Sequence, residues 1–260
     1  MKINLKNKNV LISGGTHGIG KAIAISLAKS GCNVAVFSKS RERVDKIDRE
    51  LSQICDQHMA MACDVFNKED CTQVVNNIKK NWGHIDILIN NVGGGGRWGK
   101  ECILETEFNV WEEVMHKNFF SSVFFINSFL QNMIDNKWGR VICITSIYGK
   151  DIGGRPWFNV AKSSQNVLIK NLSQKKRYSS KNITFNSIAP GPIYIEKTGW
   201  SEMKNKNPSE FKKYVENNIP RGIMGTAEEV ANVALFLCSN EASIINGATI
   251  PCDGGQGICL

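Results

Sequence analysis

No two of the nine cysteines, at positions 32, 55, 63, 71, 102, 143, 238, 252 and 259, have Cys-x-x-Cys spacing. Their number is odd, and most stand in apolar surroundings, as in Val141-Ile-Cys-Ile144. This pattern excludes a disulfide framework and predicts reduced, buried thiols in a cytoplasmic protein. The four histidines (His17, His58, His84, His116) form no His-x-x-x-His or Cys/His cluster, so no metal site is expected. No run of about 18 apolar residues exists, which argues against a membrane span. The segment ahead of Gly14 has charges and only a short apolar run, too little for a signal-peptide core. There is no Pro/Ser-rich linker and no internal repeat, so nothing divides the chain.

What is there is ordinary in amount and informative in order. The chain has 260 residues, 42% hydrophobic and 22% charged, within the range of one large α/β domain. Lys+Arg 32 against Asp+Glu 24 leaves a net charge of +8. Such a surplus invites a nucleic-acid or anionic-ligand hypothesis. No nucleic-acid recognition module or basic helix accompanies it, so no nucleic-acid partner is expected.

Short β-type runs alternate with amphipathic stretches. Strands are predicted at Asn9–Ser13, Val34–Phe37, Met59–Cys63, Ile85–Ile89, Arg140–Thr145, Ile183–Ile188 and Ala248–Pro251. Helical spacing covers Lys21–Lys29, Ser40–Ile54, Lys68–Lys80, Glu107–Ile134, Phe158–Tyr178 and Ala227–Cys238. Gly31 is placed to close the first helix, and Thr226-Ala-Glu-Glu229 to open the last with a capping box. Strands apolar on both faces and alternating with helices imply a doubly wound parallel sheet, helices on both faces. The polar stretch 194–219 is too long for an ordinary connection and is expected to form a substrate lid.

Ser13-Gly-Gly-Thr-His-Gly-Ile-Gly20 follows the first strand and opens the first helix. Glycines let the backbone approach a pyrophosphate, and the helix N-terminus supplies N–H groups. The spacing is Gly-x-x-x-Gly-x-Gly, which resembles the short-chain dehydrogenase/reductase family, with Ser13 in the family's Thr place. Further motifs follow in the family's order: Cys63-Asp64-Val65, Asn90-Asn91-Val92-Gly93, Asn118, Ser146, Asn186-Ser-Ile-Ala-Pro-Gly191 and Asp253-Gly-Gly255. The resemblance spans nearly the whole chain. It implies a Rossmann-type α/β domain over residues 1–260, with about seven strands.

The resemblance also implies a nicotinamide cofactor. Its contacts would come from Gly14, Thr16, His17, Gly18, Ile19, Gly20, Ser38, Asp64, Val65, Asn91, Gly93, Lys162, Pro190, Gly191 and Ile193. Ile195 stands where the family often has Thr. A carboxylate at the end of the second strand would favour NAD. Ser38 is there instead, and Lys39 and Arg41 follow, available to pair with a phosphate. NADP(H) is the expected cofactor.

In the family a Tyr transfers the substrate proton. A Lys four residues on lowers its pKa, a Ser binds the substrate oxygen, and an Asn organises water. Ser146, Lys162 and Asn118 fill three of these places. The fourth reads Phe158-Asn-Val-Ala-Lys162. Phe cannot transfer a proton, and such a group typically contributes about 10²–10⁴-fold. Three explanations stand: an engineered Tyr-to-Phe variant, a non-catalytic relative that only binds cofactor, or an enzyme using another acid such as Tyr148 or water.

The loops after the fourth, fifth and sixth strands should line the substrate pocket. They contain Arg97, Lys150, Arg155 and Lys197, with Trp98, Trp157 and Trp200, and Tyr148 at the mouth. Basic and aromatic lining suggests an anionic or sugar-like small molecule, contacted by Arg97, Trp98, Tyr148, Arg155 and Trp200. Phe119, Phe120, Val123, Phe124, Phe125, Phe129 and Leu130 are more apolar surface than one helix face needs, so one side is expected to meet a partner, and the family resemblance implies a homo-oligomer, dimer or tetramer.

Overall fold

The structure, a computed structural model, describes residues 3–259. Seven strands form one parallel sheet: β1 (Asn9–Ser13), β2 (Asn33–Ser38), β3 (His58–Ala62), β4 (Ile87–Asn90), β5 (Gly139–Ile144), β6 (Ile183–Pro190) and β7 (Thr249–Cys252). Their order is β3-β2-β1-β4-β5-β6-β7. The chain winds outward one way from β1 and then the other way from β4. The crevice between those two strands is where a doubly wound sheet receives a ligand.

The helices are α1 (Gly18–Lys29), α2 (Arg41–Leu51), α3 (Lys68–Trp82), α4 (Phe108–Met115), α5 (Ser121–Asp135), α6 (Pro156–Ser173), α7 (Lys176–Ser179), α8 (Gly199–Lys206), α9 (Pro208–Asn218) and α10 (Ala227–Cys238). They cover both faces because the strands are apolar on both. In β1, Val10 and Ile12 pack with Ile23 and Leu27 of α1 and Val230 and Leu237 of α10. Leu11, between them, packs on the opposite side with Val74 and Ile78 of α3 and Phe125 and Phe129 of α5. All three strand residues are fully buried, and each such side chain stabilises the fold by about 1.5–3 kcal/mol.

Local signals set the helix ends. Asn67 caps α3, its side-chain oxygen accepting from the N–H groups of Glu69 (2.9 Å) and Asp70 (3.2 Å). Thr226 and Glu229 form the expected capping box on α10. Gly31, at φ 92°, follows the cap of α1.

Three elements differ from the sequence reading. The long helix of 107–134 is interrupted by a π-turn, His116–Phe120. There the Asn118 amide donates to the Val114 carbonyl (2.8 Å), taking the acceptor that an α-helical N–H would use. The helix expected from Phe158 starts earlier, with Pro156 in its first turn, and stops at Ser173. The stretch 194–219, expected as a substrate lid and given no elements of its own, holds two helices. α8 and α9 gather a small apolar cluster of Val215, Ile219 and Met224 with Tyr194, Trp200, Phe211 and Tyr214.

Candidate active site

The ends of β1 and β4 are stitched together by hydrogen bonds. The Ser13 hydroxyl accepts from the backbone N–H groups of Asn91 and Val92, both at 2.9 Å. The Asn91 amide donates to the carbonyls of Ser13 (3.0 Å) and Gly14 (3.1 Å). This packing leaves no room for side chains at the turn. A Cβ on Gly20 would collide with the Asn91 amide and the Gly14 carbonyl. Gly14 also has φ +66°, a conformation that L side chains avoid.

A cavity of about 430 Å³ opens beside this turn. Of the expected cofactor residues, Gly14, Thr16, His17, Ser38, Lys39, Asp64, Val65, Asn91 and Gly93 line it. Gly18, Ile19, Gly20 and Arg41 do not. Gly18 and Gly20 shape the helix start, and Gly18 faces Ile195, whose Cδ1 would be 3.0 Å from a Cβ there. Ile195 therefore packs on the helix entry. Arg41 stands exposed on the first turn of α2, and Arg43 takes its expected place in the cavity wall. Cys63 and Val92 from the family motifs, Trp98 from the expected substrate loop, and Phe66 and Lys117, which no motif pointed to, complete the lining.

The charges here are paired across the opening. Lys39 contacts Asp64 at 2.7 Å. Burial pushes the Asp64 carboxyl up, but the Lys39 hydrogen bond, the Phe66 N–H and the Lys39 charge together hold it below its usual range. Burial and the nearby Arg43 keep His17 low, so its ring is neutral near pH 7. Thr16 donates to Ser38 at 2.9 Å, where an acid would stand in an NAD-selective site. Bare glycine backbone, a helix N-terminus and these hydroxyls fit a nicotinamide dinucleotide.

A second cavity, about 450 Å³, lies over the ends of β5 and β6. Ser146, Phe158, Arg97, Trp98, Tyr148 and Trp200 line it, and so do Pro190 and Gly191, which were expected to contact the cofactor. Ile193 does not. It is buried and bridges to Gly225. Arg155 is also elsewhere: both of its contacts are to backbone, the carbonyls of Trp98 and Gly99, each at 2.6 Å. It fastens the loop that carries Arg97 rather than facing the pocket. Trp157 is fully buried against Val114 and Ala161, and Lys150 lies on another surface hollow.

Thr198, Tyr214 and Gln256 line the same cavity and were missed. Gln256 donates to the Tyr214 hydroxyl at 3.1 Å, and the Tyr214 ring lies 4.7 Å from Trp200. Asp151 holds the C-terminal segment in place by accepting from the N–H groups of Ile258 (3.0 Å) and Cys259 (2.9 Å). A signal for α9 was present in Phe211, Tyr214, Val215 and Asn218, spaced as one helix face behind Pro208. No local signal announces Gln256.

The Arg97 guanidinium stands 5.4 Å over the Trp200 ring. Among the described residues, no Asp or Glu lines this cavity. The Ser146 hydroxyl accepts from the Tyr148 N–H at 3.2 Å. Phe158 is half-buried beside it, its ring 5.8 Å from the Lys162 ammonium. Burial, then the neighbouring Tyr214 and Asp151, push the Tyr148 phenol above its usual range. That is the wrong direction for a substitute proton donor at neutral pH. Lys162 and Asn118 are buried behind both cavities, and burial brings the Lys162 ammonium down to about 8. Among the described residues, no cluster of three or more His, Cys, Asp or Glu could hold a metal ion.

This pairing of a glycine-walled crevice with a Ser–Lys–Asn set defines a class of oxidoreductase. A family model described as Enoyl-(Acyl carrier protein) reductase matches residues 14–256, and the chain belongs to this short-chain dehydrogenase/reductase family. It is 32% identical over 257 residues to the 3-oxoacyl-(acyl-carrier-protein) reductase FabG of Aquifex aeolicus, covering 98% of this chain and 100% of that one. It is 30% identical over 254 residues to the same reductase of Buchnera aphidicola, covering 98% and 99%. Among solved structures it resembles L-sorbose reductase from Gluconobacter frateurii complexed with NADPH and L-sorbose, with TM-score 0.90, 27% identity and 100% of both chains covered. It also resembles a 7α-hydroxysteroid dehydrogenase complexed with NADH and 7-oxo glycochenodeoxycholic acid, with TM-score 0.87, 26% identity, and 100% and 98% covered. No helix among the described residues is long and apolar enough to cross a membrane.

Proposed function

We propose that the chain is built as an NADP(H)-dependent reductase that interconverts a ketone and a secondary alcohol, and that Phe158 severely slows it. The observation that carries this reading is the position of Trp98, which lines both cavities. A cofactor in one and a carbonyl compound in the other would meet at the Gly93–Gly99 loop. The nicotinamide, when bound, supplies or accepts the hydride. Ser146 orients the carbonyl oxygen, and Asn118 and Lys162 form the polar wall behind it.

Lys39 and Arg43, with no acid at Ser38, support a cofactor that carries a 2′-phosphate. The relatives are divided on this point, since one neighbour holds NADPH and another NADH. Arg97 over Trp200, in a cavity lined by no acid, supports an anionic or sugar-like substrate. α8 and α9 are the lid of that cavity. Phe120, Val160 and Val167 lie exposed on the α5–α6 side, which supports a homo-oligomer there. All nine cysteines are free thiols, which suits a cytoplasmic location.

Phe158 itself favours a second reading, a cofactor-binding regulatory or scaffold protein. One variant separates the two. In Phe158→Tyr, NADPH-dependent turnover over a panel of anionic and polyol ketones should rise about 10²–10⁴-fold. No gain on any of them, with NADPH still bound, would leave the non-catalytic reading standing.

A further inference from the structure

Lys162 is only 3% exposed. An ammonium cannot be buried without acceptors. Two are provided: the carbonyl of Ile144 on β5 and the side-chain oxygen of Gln165, three residues on in α6, each at 3.0 Å.

Gln165 is fully buried, and its other end is also engaged. Its amide donates to the Ser122 hydroxyl at 2.9 Å, and Ser122 donates to the Asn118 carbonyl at 2.8 Å. Asn118 then closes on the glycine loop, donating to the Gly94 carbonyl (2.8 Å) and accepting from the Gly94 N–H (3.1 Å). The direction of this chain is fixed. An ammonium only donates, so the Gln165 oxygen must face it and the NH₂ must face Ser122. At the far end, a Cβ on Gly93 would stand 2.9 Å from the Lys162 nitrogen, so the ammonium abuts the wall of the cofactor cavity. Phe158 takes no part, offering Lys162 only a ring face.

We propose that Gln165 is a positioning residue. It holds the Lys162 ammonium against the Gly93 wall and ties it to the Gly94 loop, independently of the side chain at 158. Its value for cofactor binding rests on the reading of that cavity as a nicotinamide dinucleotide site. The arrangement explains how a Lys of this kind stays ordered beside a Phe.

The titratable groups facing Lys162 are Cys143 on β5 and Lys117 in the π-turn. Burial lowers the Lys162 pKa to about 8, with Cys143 opposing and Lys117 adding to the fall. The Gln165 oxygen favours the charged form. Losing it should lower the midpoint further, and a carboxylate in its place should raise it.

The test is an NMR titration of the lysine ε-carbons in the intact chain without cofactor, with Lys162→Met used to assign the signal. The expected midpoint is about 8 in the parent chain. Gln165→Met should lower it by about one unit, and Gln165→Glu should raise it by at least as much. A general loosening of the fold cannot move it in both directions. NADPH affinity, measured in parallel, should fall as pH rises through each variant's own midpoint. The same midpoint in all three chains overturns the proposal. Midpoints that move while NADPH affinity fails to follow leave Gln165 in its role and sink the cofactor reading of the cavity.

Discussion

The glycine turn beside the cofactor cavity and the wall of the substrate cavity are fixed in different ways. The turn beside the cofactor cavity is fixed by backbone: bare glycines, a helix start, and Ser13 and Asn91 bonded to main-chain atoms. The substrate cavity takes its chemical character from side chains brought from four distant segments, around residues 97, 148, 200 and 256, set among the glycines of the same loops. A backbone surface tolerates almost no addition but is indifferent to most neighbours. A side-chain surface can be rewritten one residue at a time, which is how one fold serves many substrates.

That contrast can be broken most severely at Gly20. In Gly20→Val the new side chain meets the Asn91 amide and the Gly14 carbonyl, so NADPH binding should be lost in a calorimetric titration. Retained affinity would mean that the glycine wall does not shape the cofactor site. The substrate side should respond less. Arg97→Ala, made in the Phe158→Tyr chain, should raise KM for an anionic ketone about 10-fold or more and leave NADPH affinity unchanged. An unchanged KM would remove the anion from the substrate description. The smallest effect is expected at the rim. Arg43→Ala should weaken the preference for NADPH over NADH by about two- to five-fold, as suits an exposed charge, and Arg41→Ala should not change it. Equal effects at both positions would restore Arg41 as a phosphate contact.

The same contrast governs what the sequence discloses. The five inner strands are visible in it because burial on both faces writes apolar runs, whereas the edge strands β3 and β7 are half-buried and show as shorter apolar stretches. The glycine turn is visible because steric exclusion leaves a residue-specific mark. Ser13, Asn91 and Asp64 follow from their place after strands. The side-chain cavity leaves no such mark. Arg155 and Arg97 look alike in a basic loop, yet one is spent on two carbonyls and the other faces the pocket. Arg41 and Arg43 differ only in which way the first turn of α2 points them. Tyr214 and Gln256 reach the pocket through tertiary contacts formed by α9 and the Asp151 clasp. Lys162 was visible as a motif residue, but its partner Gln165 was not, because a buried glutamine looks like any polar helix residue until its neighbours are placed.

The π-turn at Asn118 also sets a count. Upstream of it, Val114 points into the apolar cluster beside Phe158. Downstream, Phe125 and Phe129 point into the sheet core. Each residue in a helix advances the heading of its successors by about 100°. Removing a single residue from His116–Phe120 would therefore swing the whole of α5 about a quarter turn, withdrawing Phe125 and Phe129 from β1 and β5 and carrying Ser122 away from Gln165. Sequence length in this short stretch is thus as constrained as sequence identity, and a chain that gains or loses one residue here has to rebuild its core and its lysine anchor together.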